Sequence, residues 1–184
     1  MKQSSTLPSS SYPKPAIILH WYTGVFILFL FALGWYMVSI PKGVDPRGAL
    51  FELHKSLGLI VAVLISLRIY WRITHRPPAY PPTMKAWECQ VAKITHILLY
   101  IGMILMPISG YLSNSFSGYQ TIFFGYPLPE WGWKEPTLYN FFKSAHIQIS
   151  IGFAILIGLH ISAALKHLVI EKDGIMQRML GEKK

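Results

Sequence analysis

Residues Ser144–Leu165 read SAHIQISIGFAILIGLHISAAL, twenty-two positions without an Asp, Glu, Lys or Arg. A helix needs about 20 mostly apolar residues to cross the hydrocarbon core of a bilayer, so this run is expected to be a membrane span. It also carries two histidines. His146 opens the run and His160 stands near its end, fourteen positions later. On a helix that spacing is about 21 Å of rise and stays within about 40° of one face. One helix is therefore expected to present two imidazoles on the same side at two depths.

The rest of the chain repeats the pattern. No charged residue falls between Ala16 and Ile40 or between Ile94 and Pro129, where apolar density is highest up to Leu112. Phe51–Trp71 is a fourth candidate, with Lys55 and Arg68 close enough to its ends to snorkel toward the headgroups. Of the 184 residues 52% are hydrophobic and 14% charged, against about 25% charged in an average soluble domain. Little remains for a soluble domain. The expectation is an all-α membrane protein, a four-transmembrane-helix bundle with spans of about 16–40, 51–71, 91–112 and 144–168. One unit, 16–170, is flanked by a flexible Ser/Pro tail, 1–15, and a basic tail, 171–184. The first span exceeds the roughly 7–15 residues of a signal h-region and has no small-x-small cleavage site after it, so it is read as retained.

Orientation follows from the basic residues. With the N-terminus inside, twelve of the seventeen Lys and Arg fall on the cytoplasmic side and five on the other. Both termini are then cytoplasmic by the positive-inside rule, and a multi-pass protein of a bacterial inner membrane is expected. The net charge of +9 is accounted for by a basic skirt meeting anionic lipid, so the bilayer is the expected partner and nucleic acid is not. Arg76-Pro-Pro-Ala-Tyr-Pro-Pro82 reads as an extended connector between the second and third helices.

A single cysteine, Cys89, excludes covalent haem attachment through C-x-x-C-H, a cysteine-held iron–sulfur cluster and an internal disulfide. There is no phosphate loop, dinucleotide fingerprint or nucleophile elbow. What remains is histidine. His20, His54, His96, His146 and His160 lie within or at the ends of the spans, His167 just beyond the fourth, and His75 in the connector. Ionisable groups in a span are costly and usually face the bundle interior with a partner. His54 and His146 belong to the outer level, His20 and His160 to the cytoplasmic one. Two bis-histidine haem sites stacked through the bundle fit this arrangement.

His96 and His167 also belong to the cytoplasmic level, so the pairing is not unique. A porphyrin beside its ligand needs room one helical turn along. There His20 has Gly24, His54 has Gly58, His146 has Ser150 and His160 has Ala164, whereas His96 has Tyr100 and His167 has Glu171. Small residues thus favour the first four, although they also serve ordinary helix packing. A histidine-lined metal transporter is the rival reading. It would call for carboxylates or further polar ligands, and apart from Glu52 at the head of the second span the spans contain no Asp or Glu.

The motifs Leu19-His20-Trp21, Leu53-His54-Lys55-Ser56-Leu57-Gly58, Thr95-His96-Ile97-Leu98-Leu99-Tyr100, Gly158-Leu159-His160, Ala163-Ala164-Leu165-Lys166-His167 and Asp173-Gly174-Ile175-Met176-Gln177-Arg178-Met179-Leu180 together resemble the bacterial cytochrome b561 family. The resemblance covers nearly the whole chain after the Ser/Pro tail. It implies a dihaem protein of the inner membrane with two haem b, one held by His20 and His160 and the other by His54 and His146. Some relatives look like superoxide:ubiquinone oxidoreductases. Others look like electron carriers coupled to a periplasmic lipocalin-like isoprenoid-binding protein, and this chain is more similar to these along its second helix and its C-terminal tail. The family also resembles the cytochrome b subunits of hydrogenases and formate dehydrogenases.

Electron exchange between a periplasmic-side donor, superoxide among the candidates, and ubiquinone is thus the expected activity. His96 and His167 are either interfacial histidines or proton-exchanging groups of a quinone site. Arg68 and Arg72 either anchor the second helix or pair with haem propionates. The outer loop, Ser113–Phe142, holds Trp131 and Trp133. It reads as interfacial belting, or as a cap or docking surface where Lys134 and Lys143 attract an anion or a periplasmic protein partner.

Overall fold

The apolar runs become helices longer than the hydrocarbon requires. The computed structural model describes residues 11–129 and 131–181; most of the expected Ser/Pro tail and the last three residues lie outside the described residues. Helices α1 (Lys14–Ser39), α2 (Arg47–Thr74), α3 (Ala86–Ser115) and α4 (Pro136–Lys166) are each long and apolar enough to span a bilayer. α4 continues into a π-helical turn, His167–Glu171, and a short α5 (Ile175–Leu180) follows. The extra turns come from polar caps outside the apolar windows. Glu88 Oε2 accepts from the Lys85 amide (3.1 Å) at the head of α3, and Glu135 Oε2 accepts from the Leu138 amide (2.7 Å) at the head of α4. Proline stands in the first turn of α1 and of α4, where its missing N–H has no intrahelical partner to lose.

The helices pair as two hairpins. α1 packs along α2 and α3 along α4, α2 touches α3 more sparingly, and α1 and α4 lack a backbone seam of that kind. α1 meets α4 through side chains instead, with Phe31 5.9 Å from Phe153 and His20 6.2 Å from His160, centroid to centroid. One apolar layer joins the two hairpins: Ile27, Val61, Ile65, Met103 and Phe153. Its registry is exact along the chain. Ile27 follows His20 by seven residues, Val61 follows His54 by seven, Met103 follows His96 by seven, and Phe153 stands seven from both His146 and His160. Seven residues are about 10 Å and nearly the same helix face. The layer therefore lies midway between two histidine levels.

At that layer α3 and α4 approach closely. A Cβ on Gly102 would lie 2.6 Å from Phe153 Cδ2, so only glycine fits beside the ring. Beyond the layer, at the end away from the chain termini, β1 (Ile122–Phe123) and β2 (Tyr126–Pro127) form a two-stranded antiparallel hairpin. Its central residues Phe124 and Gly125 have positive φ, 45° and 89°, as a tight primed turn demands. This hairpin is an addition to the all-α reading. Ser56 Oγ fastens it to α2 by donating to Ile122 O (3.3 Å) and accepting from Phe124 N (3.1 Å).

Gly102→Ala is expected to overpack the middle layer and cost about 1–3 kcal/mol. A lower thermal midpoint in detergent is the readout. Adding Phe153→Leu should recover part of the loss, and an unchanged midpoint in Gly102→Ala would mean that the contact is not tight.

Candidate functional site

Toward the end that carries both termini, three imidazoles converge below the middle layer. His160 from α4 lies 6.2 Å from His20 of α1 and 5.5 Å from His96 of α3, centroid to centroid. A metal–imidazole bond is about 2 Å, and ring nitrogen to centroid is about 1 Å, so two imidazoles on one metal stand about 6 Å apart. His20 with His160 meets that spacing and His96 with His160 comes near it. The structure brings together both expected partners and the third imidazole that small-residue spacing had set aside. His96 also hydrogen-bonds the backbone of Ala92, one turn earlier.

Arg68 corrects one expectation. Its guanidinium does not snorkel toward the headgroups but turns inward, where Nη2 donates to His20 Nδ1 (2.8 Å). Its other neighbours are Met103 Sδ at 3.9 Å and the face of Tyr100 at 5.7 Å. All are neutral. Among the described residues no carboxylate pairs with Arg68, and a cation so placed attracts an anion. Arg72 lies further toward the terminal end within reach of Tyr12. Burial raises the phenol of Tyr12 above its ordinary 10.0 while Arg72 pulls it down, so the phenol stays neutral at physiological pH.

On the other side of the middle layer stand His54 and His146, within electrostatic reach of each other. His146 Nδ1 lies 3.0 Å from Met106 O and 3.1 Å from Ser109 Oγ. Ser109 already donates its own proton to Leu105 O (2.7 Å), so the imidazole Nδ1–H is the donor to these oxygens. Nε2 is then the bare nitrogen, the arrangement a metal-ligating histidine adopts. His54 packs against Gly34, and its Nδ1 is buried with no hydrogen-bond partner among the described residues. One turn from His20 and from His54, a Cβ added at Gly24 or Gly58 would touch nothing within 4 Å. The room that the small-residue pattern implied is there. A bare Nε2, an orphaned Nδ1, open space at both levels and an inward cation together suit a flat, anionic, metal-bearing group such as haem.

The remaining histidines divide. His75 stacks on Trp71 at 3.8 Å, and its Nδ1 lies 2.8 Å from Thr74 Oγ1, whose own proton goes to Tyr70 O, an ordinary interfacial role. His167 lies apart from the three converging imidazoles, and its Nδ1 faces Glu171 (2.6 Å) and Asp173 (2.7 Å). Sequence reasoning placed Glu171 one turn from His167 only as an obstacle and did not connect Asp173 to the ring. The Asp-Gly pair after the last helix was the available signal, since it marks a chain reversal. Nothing could have pointed to Met106 O, because a backbone acceptor has no residue signature.

The expected C-terminal tail is partly folded. Trp21, whose ring meets His20 edge-on at 5.5 Å, donates its Nε1–H to Met179 O of α5 (2.8 Å). Arg178 donates to Ala79 O in the Pro-rich connector (2.7 Å). α5 is thereby tied to the residues beside the histidines at the terminal end. At the other end the aromatics of the loop gather on the bundle. Trp131 Nε1 donates to Tyr111 Oη (2.8 Å), and Phe116 meets Trp131, Trp133 and Phe142 within 6.0 Å.

Comparison with known proteins matches these features to a family. A profile of the prokaryotic cytochrome b561 family matches residues 11–182. The chain is 30% identical to cytochrome b561 homolog 1 of Escherichia coli (strain K12) over 178 residues, 94% of this chain and 98% of that one. It is 29% identical to cytochrome b561 homolog 2 of the same strain, over 97% of this chain and 96% of the relative. It is also 27% identical to the probable superoxide oxidase CybB of Yersinia pestis, over 90% and 93%.

Trp21→Phe keeps the ring and deletes only the bond to Met179 O, a loss of about 0.5–1.5 kcal/mol. Hydrogen exchange in α5 is expected to speed up about three- to tenfold, with the helical content of the four spans unchanged. Unaltered exchange would mean that α5 is held by other contacts.

Proposed function

The chain belongs to the prokaryotic cytochrome b561 family of haem-binding membrane electron-transport proteins, and from that premise we propose that it carries two haem b and passes electrons between a periplasmic-side donor and ubiquinone. The observation that carries this reading is the pair of histidine levels on either side of one apolar layer. We assign His54 and His146 to the outer haem, and His20 and His160 to the inner. Haem bound there would supply reversible one-electron chemistry at each level.

The residues' own tasks follow. Met106 O and Ser109 hold the Nδ1–H of His146 and keep its Nε2 free. His20 Nδ1 accepts from Arg68, so its own proton sits on Nε2 in this arrangement. With haem bound, His20 would hold the metal and the Arg68 guanidinium would suit an anionic substituent such as a propionate. Arg72 offers a second cation at the same end. Phe153 and its layer keep water from passing between the levels. On the expected topology His96 and His167 face the cytoplasmic interface, where imidazoles exchange protons with a quinone.

Superoxide as the donor is supported by the name of the Yersinia pestis relative, a probable superoxide oxidase. A protein donor is favoured by a different observation: Tyr119, Tyr126 and Trp133 stand more than 60% exposed on the outer loop, a surface that suits a periplasmic partner.

Two non-covalent haems per chain are expected, all extractable by acid acetone. A pyridine haemochrome assay giving one haem in fully loaded protein removes the two-site reading. His54→Ala or His146→Ala should remove the outer haem alone, and His20→Ala or His160→Ala the inner alone. Inner-haem loss in His96→Ala but not in His20→Ala would reassign that ligand. Protein reduced beforehand should be reoxidised rapidly by a soluble ubiquinone analogue, and no reoxidation at all would remove quinone as the acceptor.

A further inference from the structure

The end of α4 leaves α-helical geometry where it carries its last histidine. His167–Glu171 winds as a π-helical turn, Lys172 is left-handed at φ 52° and donates its amide to His167 O (2.9 Å), and Gly174 is left-handed at φ 86°. The reversal brings Asp173 back onto His167. Two carboxylate oxygens therefore meet one ring nitrogen, with Glu171 Oε2 at 2.6 Å and Asp173 Oδ2 at 2.7 Å from Nδ1.

Each carboxylate is also held from behind. Lys166 Nζ grips Glu171 Oε1 (2.8 Å), and the Ile175 amide donates to Asp173 Oδ1 (3.0 Å). Lys166 reaches across to Glu88 Oε1 of α3 (2.8 Å). Asp173 is nearly buried, with 8% of its side chain exposed against 29% for Glu171. Lys166, Glu171, Asp173 and, through Lys166, Glu88 are the charged groups around His167 from α4, the π turn, the reversal and α3.

Pinning a chain end needs one ion pair, and here two carboxylates converge on one nitrogen. A carboxylate on Nδ1–H fixes the tautomer and the aim of an imidazole and leaves Nε2 as the nitrogen that exchanges protons. We propose that Asp173 and Glu171 are positioning residues that hold His167 as the proton donor to quinone, an inference that rests on the quinone reading above.

Per turnover the quinone takes two electrons, supplied by the periplasmic-side reductant through the haem sites, and two protons. Both carbonyl oxygens become hydroxyls. A proton leaves His167 Nε2 for a quinone oxygen, and the ring is refilled from cytoplasmic water before the second. The Nδ1–H bond is kept throughout, hydrogen-bonded to the carboxylates, so the ring cycles between imidazolium and neutral imidazole.

The test uses full-length, haem-loaded protein, reduced beforehand and mixed in stopped flow with decylubiquinone while the b-type absorbance is followed. The set is wild type, Asp173→Asn, Glu171→Gln, the double variant, His167→Ala, and His167→Ala combined with Asp173→Asn. Asn still accepts from the Ile175 amide but can present an N–H to the ring, which favours the wrong tautomer. The double carboxylate variant and His167→Ala are each expected to slow reoxidation about 100-fold, the scale of one general acid, with haem content and spectra unchanged. Asp173→Asn should add nothing once His167 is gone, because residues acting as one unit are not additive.

Slowing by Asp173→Asn as large in His167→Ala as in wild type would mark a merely structural role and overturn the proposal. So would wild-type rates in the double carboxylate variant. No quinone reoxidation in wild type fails the underlying reading itself, whereas fast wild type and fast His167→Ala fail only the proton donor. If Asp173→Asn loses haem, Glu171→Gln carries the same cycle with His167→Ala.

Discussion

An imidazole inside hydrocarbon has two nitrogens and no water, and each nitrogen left without a partner is costly. Much of this bundle can be read as the working out of that constraint. His146 gives one nitrogen to Met106 O and Ser109, and His20 gives one to Arg68. His54 Nδ1 finds nothing among the described residues. These rings stand at two depths, on either side of the middle layer. On the proposed two-haem reading, a prosthetic metal at each depth would partner these rings.

The middle layer follows from the same spacing. Side chains seven residues from a histidine fall on its face two turns away, so residues that keep imidazoles inward also bring Ile27, Val61, Met103 and Phe153 inward. Gly102 lets α4 close on α3 at that height. The outcome is a bundle dry at its waist and open on either side of it. Open ends and a closed waist suit two separate one-electron sites better than a continuous channel, which would need polar groups through the middle.

The spans, the two histidine levels and the room beside Gly24 and Gly58 were legible in the sequence, because hydropathy and helical periodicity are one-dimensional signals. The β-hairpin was not, since two-residue strands carry almost no pattern and Phe124 is an unusual choice for a left-handed turn position. The folding of α5 was hidden for another reason. Its docking depends on Trp21 and the connector carbonyl of Ala79, 158 and 99 residues away, and basic composition alone suggested a tail. His96 shows the limit of spacing arguments. Tyr100 one turn on argued against a ligand role, yet the ring stands 5.5 Å from His160, so proximity and clearance are separate tests.

Arg68 shows how charge and site are linked. A cation in a span costs about 2.5–3.5 kcal/mol on insertion scales, and here its contacts are an imidazole nitrogen, a thioether and an aromatic face. Such neutral contacts recover only part of that cost, whereas an anion at the same place would recover more and relieve His20 of its donor. Arg68 and His20 satisfy each other through that contact. On the proposed haem reading, Arg68 would hold an anionic substituent and His20 would hold the metal. On this account the inner site discriminates for a group that brings both charge and metal. A neutral porphyrin ester could satisfy only the histidine, and it would leave the guanidinium buried without its partner.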